Sequence, residues 1–175
     1  MRNALILQGS ENTPEGNWYP WLKGELEGKG FRVWLPALPR PEFPIQRDWL
    51  QAVLSRKDWI FNEMSLIIGH SLGATLALRV LENLPVGIAI EMAILVAGFV
   101  EVGTIPETFA EKKRFLEVAF DWERIRAACN RFYYVCSDND SYGCGEDQGK
   151  LMQEARIMRG GHGAGVAVRQ DNRRY

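Results

Sequence analysis

Short apolar runs alternate with segments of helical period along most of the chain. The runs at 4–8, 31–35, 65–68, 92–97 and 131–136 predict strands, and Arg156-Ile157-Met158 predicts a short sixth. Helical spacing marks 19–29, 46–54, 72–83, 107–119, 122–128 and 146–155. Pro36, Pro39, Pro41 and Pro44 hold an extended loop after the second strand. Strands separated by helices imply βαβ units and a mostly parallel sheet. Near-continuous runs such as Leu66-Ile67-Ile68 and Ala93-Ile94-Leu95-Val96 fit strands covered on both faces. In such sheets chemistry collects at the carboxyl ends of the strands. Gly9, Ser71, Gly98 and Ser137 all fall just beyond those ends.

The third strand runs directly into Gly69-His70-Ser71-Leu72-Gly73, and a helical pattern follows. Strand, G-x-S-x-G and helix together form a nucleophile elbow, a sharp turn that lifts a serine hydroxyl clear of the backbone. A serine hydroxyl needs a base to accept its proton, and the base needs an orienting acid. The chain holds two histidines. His70 precedes Ser71, so its side chain points away from the nucleophile and serves packing or hydrogen bonding around it. His162, in Gly160-Gly161-His162-Gly163, is left as the candidate base. The acid belongs after the fifth strand, where Ser137-Asp138-Asn139-Asp140 offers Asp140 first and Asp138 second. One of these two aspartates is expected to cap a polar turn. The order serine, acid, histidine is that of one hydrolase class and differs from the orders of the serine proteases. Two backbone amides are candidates for an oxyanion hole: Leu72, next to the nucleophile at a helix start, and Ser10, in the loop after the first strand.

The remaining composition narrows the function classes. A chain of 175 residues with 46% hydrophobic and 25% charged residues suits one domain with a substantial core. A formal net charge of −1 gives no reason to expect nucleic acid or an acidic membrane as partner. Cys129, Cys136 and Cys144 lack the spacing of a zinc site or a disulfide framework, so reduced thiols in a cytoplasmic protein are expected. No leader, membrane span, metal or cofactor is expected.

With these residues in place, the chain resembles the small α/β-hydrolases of the retinoblastoma-binding protein 9 family over roughly residues 4–162. The resemblance runs through Trp18-Tyr19-Pro20-Trp21, Leu35-Pro36-Ala37-Leu38-Pro39, the elbow, Ile94-Leu95-Val96-Ala97-Gly98 and Asp121-Trp122-Glu123. It implies a single-domain α/β-hydrolase with strand order 2-1-3-4-5-6, helices on both faces and no large lid. It also implies a serine hydrolase with a triad of Ser71, Asp140 and His162; the substrate class expected from the site is a small ester or related acyl compound. The chain departs from the family at Ser141-Tyr142-Gly143-Cys144, where a proline normally follows the aspartate, and at its end, where a final helix is normal. Residues 1–162 are therefore expected to form the domain and 163–175 a loosely ordered tail. The alternative to an enzyme is a binding or regulatory protein on a hydrolase scaffold.

Overall fold

The computed structural model describes residues 1–101, 113–137, 140, 142–154 and 166–167. Its strands are β1 (Asn3–Leu7), β2 (Arg32–Trp34), β3 (Ser65–His70), β4 (Ile90–Val96), β5 (Cys129–Cys136) and β6 (Val166–Ala167). Its α-helices are α1 (Tyr19–Gly28), α2 (Gln46–Leu54), α3 (Leu72–Glu82), α4 (Trp122–Ala127) and α5 (Glu146–Glu154). The strands form one sheet in the order β2-β1-β3-β4-β5-β6, and every pairing is parallel. This is the predicted α/β fold and strand order.

The register brings the carboxyl ends to one edge. Leu7 lies opposite Gly69, His70 opposite Val96, and Val96 opposite Val135. The loops that begin at Gln8, Ser71, Ala97 and Ser137 therefore emerge side by side.

Strand β1 is buried along its whole length, and alternation divides it between two cores. Leu5 and Leu7 face the larger one, with α3, Trp49 and Phe115. Ala4 and Ile6 face the smaller one, where Tyr19 joins Ile68 and α1 adds Leu22 and Leu26. Residues Leu72 to Leu81 of α3 are all buried, which explains their lack of a polar face. The Trp49 indole N–H donates to the Pro39 carbonyl at 2.7 Å and fastens the proline-rich loop to α2.

Two segments of the sequence expectation fall wholly or partly outside the described residues. Of the helix expected over 107–119, residues 107–112 lie outside those described; Lys113 is helical and a 3-10 turn follows at Arg114–Leu116. Arg79 anchors the chain from that turn onward. Its guanidinium, on a side chain 4% exposed, donates to the carbonyls of Phe115, Val118 and Ala119 and lies 3.8 Å over the Phe120 ring. Arg79 also pairs with Glu82 at 2.9 Å, and Glu82 accepts the Asp121 amide at 2.7 Å. Removing one partner of a buried charge network costs about 3–5 kcal/mol. Arg79→Ala is therefore expected to lower unfolding stability by about that amount, read as a reduced urea midpoint at unchanged slope.

The second concerns the sixth strand. The expected strand at 156–158 lies outside the described residues. The observed strand pairs Val166 with Val135 and Ala167 with Cys136, inside the stretch expected to be a tail. Val166 is β-branched, which suits an edge strand. In the chain, His162 follows the strand expected at 156–158 and precedes β6.

The Asp121-Trp122-Glu123 segment has a structural explanation. Asp121 caps α4 by accepting the Arg124 amide at 3.0 Å, and Trp122 stacks on Phe120 with centroids 4.8 Å apart.

Candidate active site

Strand β3 ends at His70 and α3 begins at Leu72, so one residue makes the turn. That residue is Ser71, with φ 53° and ψ −122°, a conformation that L-residues adopt only at a cost of about 1–3 kcal/mol. The neighbouring chain holds it there. The Ser71 amide donates to the Val96 carbonyl at 2.8 Å, and its own carbonyl accepts the Ala74 amide at 2.9 Å. The turn also needs its glycines. A Cβ on Gly69 would lie 2.4 Å from the Gly73 carbonyl oxygen, and one on Gly73 would lie 2.4 Å from the carbonyl oxygens of both Leu7 and Gln8. The first distance closes the elbow on itself, and the second seats α3 against β1.

Ser71 opens onto a cavity of about 470 Å³, within the usual range for small-molecule sites. His70 and Ser71 lie at the base. The loop after β1 supplies Ser10, Glu11, Asn12 and Asn17, the end of β4 supplies Ala97 and Phe99, and the loop after β5 supplies Asp140, Tyr142 and Cys144. Of the expected site residues, Ser71, Ser10 and Asp140 thus border one cavity, and Leu72 follows Ser71 at the first turn of α3. His162 and Asp138 lie outside the described residues.

The wall after β1 is tied together by its own side chains. Gln8, almost fully buried, donates to the Asn12 carbonyl, and Asn12 Nδ2 donates to the Ser10 carbonyl at 3.0 Å. The Glu11 amide reaches the Pro41 carbonyl at 2.8 Å. Gly9 passes so close to the nucleophile that an added Cβ would lie 3.1 Å from Ser71 Cβ. Asp140 does the turn work expected of one aspartate. Its Oδ1 accepts the amides of Tyr142 at 2.8 Å and Cys144 at 3.1 Å, which fixes its carboxyl at the cavity margin.

The opposite walls are joined from behind. The buried Tyr134 hydroxyl lies 2.7 Å from the Gly98 carbonyl and 2.6 Å from that of Cys144, sharing one proton between them. Gln148 on α5 is fully buried; its Oε1 accepts the Val100 amide at 2.7 Å, and its Nε2 donates to the Glu101 carbonyl at 3.3 Å. Sequence reasoning found neither residue, because a lone tyrosine in a strand and a lone glutamine in a polar helix carry no motif.

His70 behaves as expected for the residue before the nucleophile. Its ring packs beside Trp18 and Tyr19, with centroids 5.6 and 5.8 Å away, and its Nδ1 lies 2.6 Å from the Tyr19 hydroxyl. Burial holds its pKa below the ordinary histidine value, opposed in part by the Asp140 carboxylate. Trp18 and Tyr19 therefore brace the elbow from behind instead of lining the cavity.

Cys129, Cys136 and Cys144 are all buried thiols, and burial pushes the Cys129 pKa up to about 12, far from a reactive thiolate. Among the described residues, no helix is long and apolar enough to cross a membrane.

This arrangement has clear relatives. The putative hydrolase YdeN of Bacillus subtilis (strain 168) is 27% identical over 166 residues, covering 92% of this chain and 85% of that protein. The serine hydrolase RBBP9 of Rattus norvegicus is 25% identical over 142 residues, covering 79% of this chain and 72% of its own. The crystal structure of the ydeN gene product from B. subtilis superposes with a TM-score of 0.81 at 25% identity, over 90% of this chain and 83% of that one. The family model described as serine hydrolase matches residues 4–164, and the chain, a hydrolase, belongs to that family.

Proposed function

We propose that this hydrolase cleaves small esters or related acyl compounds through a covalent intermediate on Ser71. The observation that carries the reading is the Ser71 backbone: a non-glycine residue at φ 53°, held between strand and helix at the base of a cavity. Such strain persists only where the surroundings enforce it, and here it presents the hydroxyl to the cavity.

In this reading His162 takes the Ser71 proton as Oγ attacks the substrate carbonyl, and Asp140 orients His162. The negative charge on the carbonyl oxygen meets the amides of Leu72 and Ser10. Leu72 is suited to this because the first amides of a helix have no partner within it and sit at its positive end. Ser10 is suited because the Gly9 amide is already given to the Tyr19 hydroxyl at 3.1 Å, which leaves Ser10 the next donor beside the nucleophile. The alcohol departs with the proton from His162. Water, deprotonated by His162, then attacks the acyl carbon and releases Ser71. Among the described lining residues, Glu11 and Asp140 are carboxylates and none is Lys or Arg, which favours neutral over anionic substrates. Buried thiols support a reducing, cytoplasmic setting.

A fluorophosphonate reagent tests the reading. The wild-type protein is expected to gain one phosphonyl group, mapped by peptide mass to Ser71, and Ser71→Ala to gain none. An unlabelled wild type would sink the hydrolytic mechanism.

A further inference from the structure

Tyr19 takes part in no step of the mechanism above, yet this side chain joins the two halves of the site. Tyr19 is fully buried at the first residue of α1, with Pro20 fixing the helix start behind it. Its hydroxyl accepts the Gly9 amide at 3.1 Å and lies 2.6 Å from His70 Nδ1. The proton positions follow from counting donors. A backbone amide can only donate, so Gly9 occupies a lone pair of the phenol oxygen. If His70 donated as well, the phenol proton would be buried with no acceptor, at a cost of about 1–3 kcal/mol. The satisfied arrangement has the Tyr19 O–H donating to Nδ1 of a neutral imidazole whose proton is on Nε2. Burial, which keeps His70 below its usual pKa, favours that neutral form.

Gly9 precedes Ser10, and His70 precedes Ser71. One phenol oxygen therefore links the residue before the proposed oxyanion donor to the residue before the nucleophile. Three further bonds of the loop, Gln8 to Asn12, Asn12 to Ser10 and Glu11 to Pro41, hold it to itself and to the proline-rich loop. The Tyr19 hydroxyl bonds it to the elbow. We propose that Tyr19 is a positioning residue for the oxyanion hole: it sets the spacing between the Ser10 amide and Ser71 Oγ through the Gly9–Tyr19–His70 chain. The proposal rests on the hydrolytic reading of Ser71.

Tyr19→Phe removes the hydroxyl and keeps the ring. In a folded variant, with wild-type circular dichroism at the assay temperature, kcat for an aryl ester is expected to fall about 10- to 100-fold, less than the 10²–10³ of deleting an oxyanion donor outright. KM should stay within about twofold. Affinity for a phenylboronic acid, whose tetrahedral adduct on the serine places an oxygen in the hole, should fall by the same factor as kcat. A side chain that merely supports the fold would leave kcat and boronate affinity unchanged below the melting transition. His70→Leu breaks the same chain at its other end and should reproduce the loss, and the double variant should lose no more than either single. Those singles also serve if one of them fails to fold. Wild-type kcat and boronate affinity in folded Tyr19→Phe or His70→Leu would overturn the positioning role alone. A wild-type protein that neither labels nor turns over esters would overturn the hydrolytic reading, and this proposal with it.

Discussion

Ser71→Ala is expected to lower kcat on an activated ester by about 10⁶-fold, the loss seen when the nucleophile of a serine triad is removed. His162→Ala should cost about as much, because nucleophile and base act as a unit and either deletion leaves only binding and the oxyanion hole. Asp140→Asn is the more informative variant. The asparagine Oδ1 can still accept the Tyr142 and Cys144 amides, so the turn that Asp140 builds is preserved. Only its charge and its role as acceptor for the base are lost. A triad acid replaced in this manner costs about 10⁴-fold. The measurement is steady-state turnover of an aryl ester, with the unfolding midpoint as control. A loss under about tenfold would move the orienting role away from Asp140, and Asp138→Asn is then the variant to assay.

The largest effect on stability is expected at Gly73. A methyl group there would meet two backbone carbonyl oxygens of the β1 end at 2.4 Å, and no side-chain rotation relieves a clash with backbone. Either α3 lifts from the sheet, taking the nucleophile with it, or β1 moves and breaks its pairing with β3. Gly73→Ala is expected to cost more than about 4 kcal/mol, a loss reserved for the most disruptive single changes. At about 2–4 °C per kcal/mol for a domain of this size, the melting temperature falls by at least about 8 °C. Gly24→Ala is the natural contrast. Gly24 lies inside α1, and an added Cβ there meets nothing within 4 Å. That substitution should add about 0.5–1 kcal/mol by restricting the unfolded chain and improving helix propensity. Equal effects of the two substitutions in thermal denaturation would contradict the packing described for the elbow.

Much of this fold was legible in the chain because its signals are local. Apolar runs such as Leu66-Ile67-Ile68 mark buried strands, and the glycines flanking Ser71 mark a turn that other residues cannot make. The strand order followed from the resemblance to a known family. What escaped detection depends on distant partners. The bonds from Arg79, far away in sequence, to the carbonyls of Phe115, Val118 and Ala119 leave no local signal. The pairing of Val166 and Ala167 with β5 depends on an open sheet edge, which periodicity cannot reveal. In the site, Ser71 and Ser10 were legible from a motif and a strand end. Asp140 was one of two candidates, and the structure brings it to the same cavity as Ser71. The braces Tyr19, Tyr134 and Gln148 were not, because their meaning lies in hydrogen bonds across the sheet edge.

The Tyr134 hydroxyl between Gly98 and Cys144 has a consequence for redesign. It fixes the gap between the loops after β4 and β5 to the reach of one phenol, so Phe99 on one side and Asp140 on the other form a single rigid jaw. Enlarging the cavity from that jaw would pull the proposed acid out of line. The opposing jaw, from Glu11 to Asn17, carries no proposed catalytic group. Variation aimed at bulkier acyl chains belongs there, at Glu11 and Asn17, sparing Asn12, whose side chain holds the Ser10 carbonyl.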